Sequence, residues 1–244
     1  MQIPRIFVDR PLVVGDSLTL PDGPARHLLQ VLRLVEGAPF VLFNGDGRDY
    51  PARLSDRSRA GAVAAIEGAG EPEPESRLAI HLALGISKGE RMDYALQKAV
   101  ELGVERLTPL FTERSQVRLD GPRLERRLEH WRGILIGACE QSGRRRLPVL
   151  DPAVNLSQWL ATGSRGGLLL DPLAPLTLTA LPAPETGVTL LIGPEGGLSP
   201  RERDEAARQG FQGVRLGPRI LRTETAPLAA IAVIQALWGD FRDV

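Results

Sequence analysis

The sequence predicts an α/β protein: a mostly parallel sheet with helices over residues 73–244, preceded by a small β-rich part over residues 1–72. Two observations carry the prediction. From residue 78 onward, apolar strand-like runs alternate with helical stretches, the pattern of βαβ units. Before residue 70 the apolar runs are short, closely spaced and bounded by turn residues, which suggests a small barrel. Between the two parts lies Glu71-Pro72-Glu73-Pro74-Glu75-Ser76. Alternating proline and glutamate stiffens and solvates a chain, so the division falls there. There is no convincing internal repeat.

In the first part the short runs are Ile6-Phe7-Val8, Leu18-Thr19-Leu20, residues 40–43 and residues 62–66. Gly15-Asp16, Pro21-Asp22-Gly23 and Asn44-Gly45-Asp46-Gly47 supply the turns between them. One helix is expected over 24–34, with Leu28, Leu29 and Leu32 on one face and Arg26, His27 and Arg33 beside it.

In the second part a strand is expected over 78–86 and a helix over 91–102. In that helix Met92, Leu96, Ala99 and Val100 recur at helical spacing, and Gly103 is the stop. A strand over 104–110, a long helix over 122–141, a strand over 147–150, a short helix over 156–161 and a strand over 167–170 continue the alternation. Residues 188–192 form the most apolar strand, as a buried parallel strand should. The helix over 200–209 has a strong start: Ser199 as N-cap, Pro200 in the first position and Glu202 closing a capping box. A strand over 213–216 and a last helix over 226–238 follow. That helix is apolar almost all round, so it belongs in a core or a subunit interface.

Composition narrows the functional classes. The chain has 244 residues, 43% of them hydrophobic and 25% charged, which excludes wholesale disorder. One cysteine, Cys139, excludes an intrachain disulfide and a cysteine-based metal cluster, and reads as a buried small apolar residue. His27, His81 and His130 show no metal-ligand spacing, so no metal is expected; His81, inside an apolar strand, reads as structural. No signal-peptide core follows the first residues and no long apolar run spans a membrane, which fits a cytoplasmic setting. The net charge is zero, which argues against non-specific coating of nucleic acid but not against a local basic patch. All but two of the basic residues are arginines, the exceptions being Lys88 and Lys98. A GC-rich genome explains that; so does recognition of phosphate, which arginine forks match better than lysine.

Ligands of open α/β sheets bind beyond the carboxyl ends of strands, and three loops qualify there. The first begins at Asp171-Pro172. The second, Gly193-Pro194-Glu195-Gly196-Gly197-Leu198, either lets backbone approach a ligand or is simply a tight strand-to-helix turn. It fits neither the dinucleotide nor the phosphate-loop motif. The third, Gly217-Pro218-Arg219-Ile220-Leu221-Arg222-Thr223-Glu224-Thr225-Ala226, is long for a connection. Its Arg222 and Glu224 are either a surface pair or site residues. Residues 140–146, Glu140-Gln141-Ser142-Gly143-Arg144-Arg145-Arg146, are either cations favoured at a helix end or a phosphate-contact patch. With aromatics at 5%, an extended base-stacking platform is not expected, though an enzyme gathering one extruded base needs none.

At these loops the chain resembles a family. Ile192-Gly193-Pro194-Glu195-Gly196-Gly197-Leu198-Ser199 and Leu216-Gly217-Pro218-Arg219-Ile220-Leu221-Arg222-Thr223-Glu224-Thr225-Ala226 look like the signature blocks of RsmE-type 16S rRNA uridine methyltransferases, a branch of the SPOUT superfamily. Lys88-Gly89-Glu90-Arg91-Met92, Gln97-Lys98, Glu101-Leu102-Gly103-Val104, residues 138–144, Pro4-Arg5-Ile6-Phe7, His27-Leu28 and Val31-Leu32-Arg33 are similar as well. Asp171-Pro172 departs from the family, where His-Pro or a similar pair is expected.

The resemblance implies an N-terminal PUA-like RNA-binding barrel, a trefoil-knotted parallel sheet with helices on both faces, S-adenosyl-L-methionine as cofactor and a homodimer. It also implies methylation at N3 of one uridine in 16S rRNA of the small ribosomal subunit. On that footing Leu169, Leu170, Ile192, Gly193, Pro194, Glu195, Gly196, Gly197, Leu216, Gly217, Ile220, Leu221, Arg222 and Thr223 are expected to bind cofactor. Arg5, His27, Arg33, Arg144 and Arg145 are expected to meet RNA. Losing the N3 proton leaves negative charge on O2 and O4, so an arginine aimed there assists: Arg222 first, Arg5 second. Glu195 or Glu224 is the candidate proton acceptor. A non-catalytic RNA-binding factor would not need the two signature loops, whereas a SPOUT enzyme acting on tRNA would carry similar ones.

Overall fold

The computed structural model describes residues 3–58, 61–117, 119–162 and 166–242. The chain forms two compact units, Met1–Glu75 with Ile136–Leu147, and Ser76–Leu135 with Pro148–Val244.

In the first unit, β1 (Arg5–Phe7), β2 (Ser17–Thr19), β3 (Pro39–Phe43), β4 (Tyr50–Ser58) and β5 (Gly61–Ile66) form one sheet in the order β1-β3-β4-β5-β2. β1 and β3 run parallel; the other ladders are antiparallel. Among the described residues no ladder joins β1 to β2, so the sheet keeps two edges. In β5 the buried residues Ala62, Ala64 and Ile66 alternate with half-buried ones, the period of a strand with one face on a core. The expected helix over 24–34 is corrected. α1 (Asp22–Arg26) is short, a π-helical turn over His27–Val31 follows, and Arg33 takes φ +54°. The wider turn breaks the helical spacing: Leu28 is fully buried, while Leu32 is 38% exposed.

The second unit is built on a seven-stranded sheet whose ladders are all parallel. Its strands are β6 (Ala79–Gly85), β7 (Arg106–Phe111), β8 (Val149–Leu150), β9 (Val154–Asn155), β10 (Gly167–Leu170), β11 (Gly187–Ile192) and β12 (Phe211–Val214). The order is β12-β10-β11-β6-β7-β8, with β9 also paired to β7. Its helices are α2 (Glu90–Glu101), α3 (Gly121–Ser142) as far as Leu135, after which α3 belongs to the first unit, α4 (Leu156–Ala161), α5 (Pro200–Arg208) and α6 (Thr225–Trp238). Successive residues of the central strands, Leu82 to Leu84 and Leu190 to Ile192, are all buried, so both faces are covered. Ala83, Leu169 and Leu191 share a core with Leu156 and Leu160 of α4 and Ala206 of α5. α2 and α6 pack together, and Gln235 of α6 donates to Leu102 O at 2.8 Å.

Local chemistry sets the element ends. The capping box of α5 forms as expected: Ser199 Oγ accepts from Glu202 N at 3.2 Å, and Glu202 Oε2 accepts from Ser199 N at 2.8 Å. Val104 is absent from β7 because its N–H closes the last turn of α2 on Ala99 O at 3.0 Å. The strand expected over 213–216 lies two residues earlier. Gly210 turns the chain out of α5, and Phe211 enters the core against Trp159.

His81 sits in a structural chain, as its strand position suggested. Its Nε2 lies 2.7 Å from Thr108 Oγ1, the Thr108 hydroxyl donates to Asp151, and Arg106 holds Asp151 at 2.8 and 2.9 Å. With the threonine proton engaged, His81 is the donor, a role its neutral ring fills. Burial lowers the His81 pKa from 6.5 and Arg106 adds to this, against the pull of Asp151. The native state therefore binds fewer protons at this ring than the unfolded chain. Its contribution is present above pH 6.5 and is lost as pH falls through the lowered native value. The expected result is a melting temperature that falls between pH 7 and pH 5. His81→Gln should show a smaller fall by scanning calorimetry; an equal fall would discard the assignment.

Candidate functional site

β12, β10 and β11 are adjacent and parallel, so the three loops that leave their carboxyl ends converge. They enclose a cavity of about 540 Å³, within the usual range for a small-molecule site. Leu169, Leu170, Ile192, Leu216 and Leu221 give it apolar walls. The loop after β11 is a tight turn, with Gly197 N donating to Pro194 O at 2.8 Å and Gly197 at φ +65°. At Gly193 there is no room for a side chain: a Cβ there would lie 2.9 Å from Gly197 C and Leu198 N. The loop after β12 returns along it. Thr223 Oγ1 donates to Gly193 O at 3.4 Å and lies 3.1 Å from Ser87 Oγ, both hydroxyls buried.

Of the residues expected to bind cofactor, all but Gly217 line this cavity. Gly217 turns the chain at φ +70° instead. All three candidate catalytic residues, Arg222, Glu195 and Glu224, line it too. Sequence reasoning omitted Arg91, Arg114 and Arg203 from the site, and left Asp171 and Arg219 without roles. Arg91 lies in the first turn of α2, after β6, and Arg114 follows β7, so the strand-end rule that found the other loops reaches both.

Charges divide into fixed and unengaged groups. Glu195 Oε1 accepts from Lys88 N at 3.0 Å and from Arg91 Nη1 at 3.1 Å. Burial raises the pKa of this carboxyl, but hydrogen bonds from the backbone of Lys88 and of Glu195 itself, with Arg91, outweigh it. The group is held below the usual carboxylate range. Arg114 donates to Gly196 O at 3.0 Å, and Arg203 lies 3.6 Å from Asp171. Asp171 also accepts from Leu173 N at 2.9 Å, closing a turn at the mouth of the first loop. Glu224 Oε2 is buried without a hydrogen-bond partner among the described residues. Arg222 is exposed, with no hydrogen bond or ion pair to its side chain among them.

The residues expected to meet RNA all belong to the first unit. His27 and Arg33 are exposed. Arg5 is not a surface cation: its side chain is 10% exposed. It donates to Asp49 at 2.7 Å and to Arg144 O at 3.1 Å, and stacks 4.8 Å over the Phe43 ring. Neither does it line the cavity. Arg145 is bound to Asp49 at 3.2 Å and to Glu71 O at 2.8 Å, and Arg144 is half-buried. Glu140 accepts from Phe7 N at 3.0 Å. Cys139 is buried as expected, and burial pushes its thiol up to about 11. Among the described residues no cluster of histidine, cysteine and carboxylate side chains could hold a metal.

Residues 74–235 match the family model of an RNA methyltransferase domain, and residues 20–67 that of an RNA methyltransferase PUA domain. The chain is 32% identical to the ribosomal RNA small subunit methyltransferase E of Buchnera aphidicola subsp. Acyrthosiphon pisum, over 99% of this chain and 96% of the relative. It is 41% identical to a ribosomal RNA small subunit methyltransferase E from Neisseria gonorrhoeae solved bound to S-adenosylmethionine. That likeness has a TM-score of 0.91 over 98% of this chain and 100% of that one. A Legionella pneumophila protein solved with bound S-adenosylmethionine is similar at 39% identity and a TM-score of 0.94, over 98% and 100% of the two chains.

Proposed function

The chain belongs to the RNA methyltransferase family, and we propose that it moves a methyl group from S-adenosylmethionine to N3 of one uridine in 16S rRNA. It is an S-adenosylmethionine-dependent enzyme of small-subunit rRNA. The observation that carries the finer reading is the cavity, in which both signature loops meet at the ends of β11 and β12, the two strands that flank β10.

The residues present suit this cofactor. Apolar walls accept a flat ring, Gly193 and Gly196 allow backbone to come close, and acidic and basic side chains can meet the cofactor's opposite charges. When bound, the cofactor supplies an electrophilic methyl on a cationic sulfur. The protein then aligns the acceptor and manages its proton. Arg222, whose side chain engages nothing else among the described residues, offers donors to the charge that develops on uracil O2 and O4. One of two cavity glutamates, Glu195 or Glu224, takes the N3 proton.

The reading extends to residues 1–72 as a PUA-like RNA-binding domain and 73–244 as the catalytic domain. His27, Arg33, Arg144 and Arg145 are its RNA contacts. A SPOUT-type trefoil knot is part of it: after β12, at the sheet edge, the chain reaches the ends of β11 and β6 through Thr223 before α6 packs beside α2. The homodimer rests on α6, whose Leu228, Ala229, Ala232, Val233, Leu237 and Trp238 stay half-exposed. No helix among the described residues is long and apolar enough to cross a membrane, and a cytoplasmic location goes with the substrate.

The test is transfer from labelled S-adenosylmethionine to small subunits, 16S rRNA and tRNA in parallel, followed by nucleoside analysis. Label should appear as 3-methyluridine in the small subunit or its rRNA, from a protein that sediments as a dimer. Label in tRNA alone would overturn the substrate, and another methylated nucleoside the chemistry.

A further inference from the structure

We propose that Glu224, and not Glu195, is the group that accepts the N3 proton, and that with Arg222 it reads the pairing edge of uracil. This rests on the methylation of uridine N3 argued above. Glu195 is already engaged: its Oε1 receives both the Lys88 N–H and the Arg91 guanidinium. Those bonds tie the loop after β11 to the start of α2, and a proton arriving on Glu195 would compete with them. Glu224 is the opposite case. Its Oε2 is closed off from water and accepts no hydrogen bond among the described residues. Its nearest cation, Arg91 Nε, stands 4.0 Å away.

Nor does α6 use this carboxylate as a cap. Glu224 stands immediately before α6, where an acidic side chain ordinarily accepts a backbone N–H. It makes no such bond, and the N–H groups of Thr225 and Ala226 both go to Arg222 O at 2.9 Å. A buried acceptor with no hydrogen bond among the described residues, its ion-pair contact to Arg91 as long as 4.0 Å, in the wall of a ligand cavity, is available for a donor on the ligand.

Uracil presents O2, N3–H and O4 in a row: acceptor, donor, acceptor. A carboxylate oxygen two residues from a guanidinium supplies the complement. Cytosine, with no hydrogen on N3 and an amino group beside it, would leave the carboxylate without a donor at N3. In the step itself the N3–H bond breaks and an O–H bond forms on Glu224. The freed N3 electron pair bonds the methyl carbon, and the pair of the broken S–C bond stays on sulfur, giving neutral S-adenosylhomocysteine. The charged groups sharing the cavity are Arg91 from α2, Glu195 beyond β11, Arg114 beyond β7, the Arg203–Asp171 pair, and Arg219 and Arg222 on the same loop. The cations among them stabilise the uracil anion as the proton leaves.

The experiment compares full-length wild type, Glu224→Gln and Glu224→Asp. It reads product nucleosides, the pH dependence of kcat, and S-adenosylmethionine affinity by calorimetry. Glu224→Gln should bind cofactor within about threefold of wild type and lose on the order of 10²-fold in kcat at neutral pH. Its rate should climb with pH as uridine ionises without help, and should recover on rRNA carrying 5-fluorouridine, whose N3–H is more acidic. Glu224→Asp should restore part of the neutral rate and show that folding is intact. A wild-type pH profile in Glu224→Gln, or these signatures in Glu195→Gln instead, would overturn the assignment. So would a large loss of cofactor affinity, which would assign the carboxylate to the cofactor's cation. If the wild type makes no 3-methyluridine, the underlying reading falls and takes the assignment with it; 3-methyluridine made at the wild-type rate by Glu224→Gln sinks the assignment alone.

Discussion

Arg222→Ala should fold, bind S-adenosylmethionine as the wild type does, and lose about 10²- to 10³-fold in kcat, the cost typical of removing one donor from an oxyanion site. The structure separates this arginine from its neighbours. Arg91 and Arg114 tie loops together through Glu195 and Gly196 O, so their removal should disturb the cavity itself. Arg222 holds nothing through its side chain among the described residues. Its structural service is its carbonyl, which starts α6 by accepting from Thr225 and Ala226. Alanine keeps that carbonyl. Calorimetric binding with single-turnover methyl transfer decides the matter. Equal loss in affinity and rate would mean that Arg222 binds cofactor, and an unchanged rate would remove it from the chemistry. Arg222→Lys should recover little, because a point charge does not reproduce the planar fork.

What the sequence made legible follows the distance between interacting groups. The capping box of α5 spans three residues, and it was readable because both of its bonds are local. The same holds for the glycine turn over 193–197 and for the Gly103 stop after α2. β4 went unread although Tyr50, Ala52 and Leu54 alternate into the core, because Pro51, Arg53, Asp56 and Arg57 mask the period. Pro51 gives no N–H, yet its carbonyl still accepts from Glu67.

Arginine roles were the least legible. Arg91 meets Glu195 across 104 residues, and Arg114 meets Gly196 across 82. Arg5 reads as a surface cation, yet it is drawn inward by Asp49 and by two carbonyls more than 130 residues away. Net charge and local pattern carry no information on such pairings; the chain path creates them. Choosing between the two candidate glutamates likewise needed the structure, since only their hydrogen bonds tell them apart: Glu195 accepts from Lys88 and Arg91, and Glu224 Oε2 accepts none among the described residues.

Gly193→Ala should abolish the site with one methyl group. The new Cβ would stand 2.9 Å from Gly197 C and Leu198 N and 3.1 Å from Gly197 Cα. All three are backbone atoms of the same loop, so no rotamer change relieves the clash. Relief requires the 193–197 turn to open, which parts the loop from Thr223 and from the β12 loop behind it. Overpacking of this kind costs about 1–3 kcal/mol, and here the loss falls where backbone should approach the cofactor. Cofactor affinity should drop at least about tenfold by calorimetry, in line with that penalty, while the far-ultraviolet spectrum stays that of the wild type. Gly137→Ala is the control. It lies in α3 with nothing within 4 Å of the added carbon, so it should be neutral or stabilising by up to about 1 kcal/mol. Wild-type affinity in Gly193→Ala would mean that the loop after β11 is only a turn into α5. The cofactor would then have to be held by the β10 and β12 loops alone.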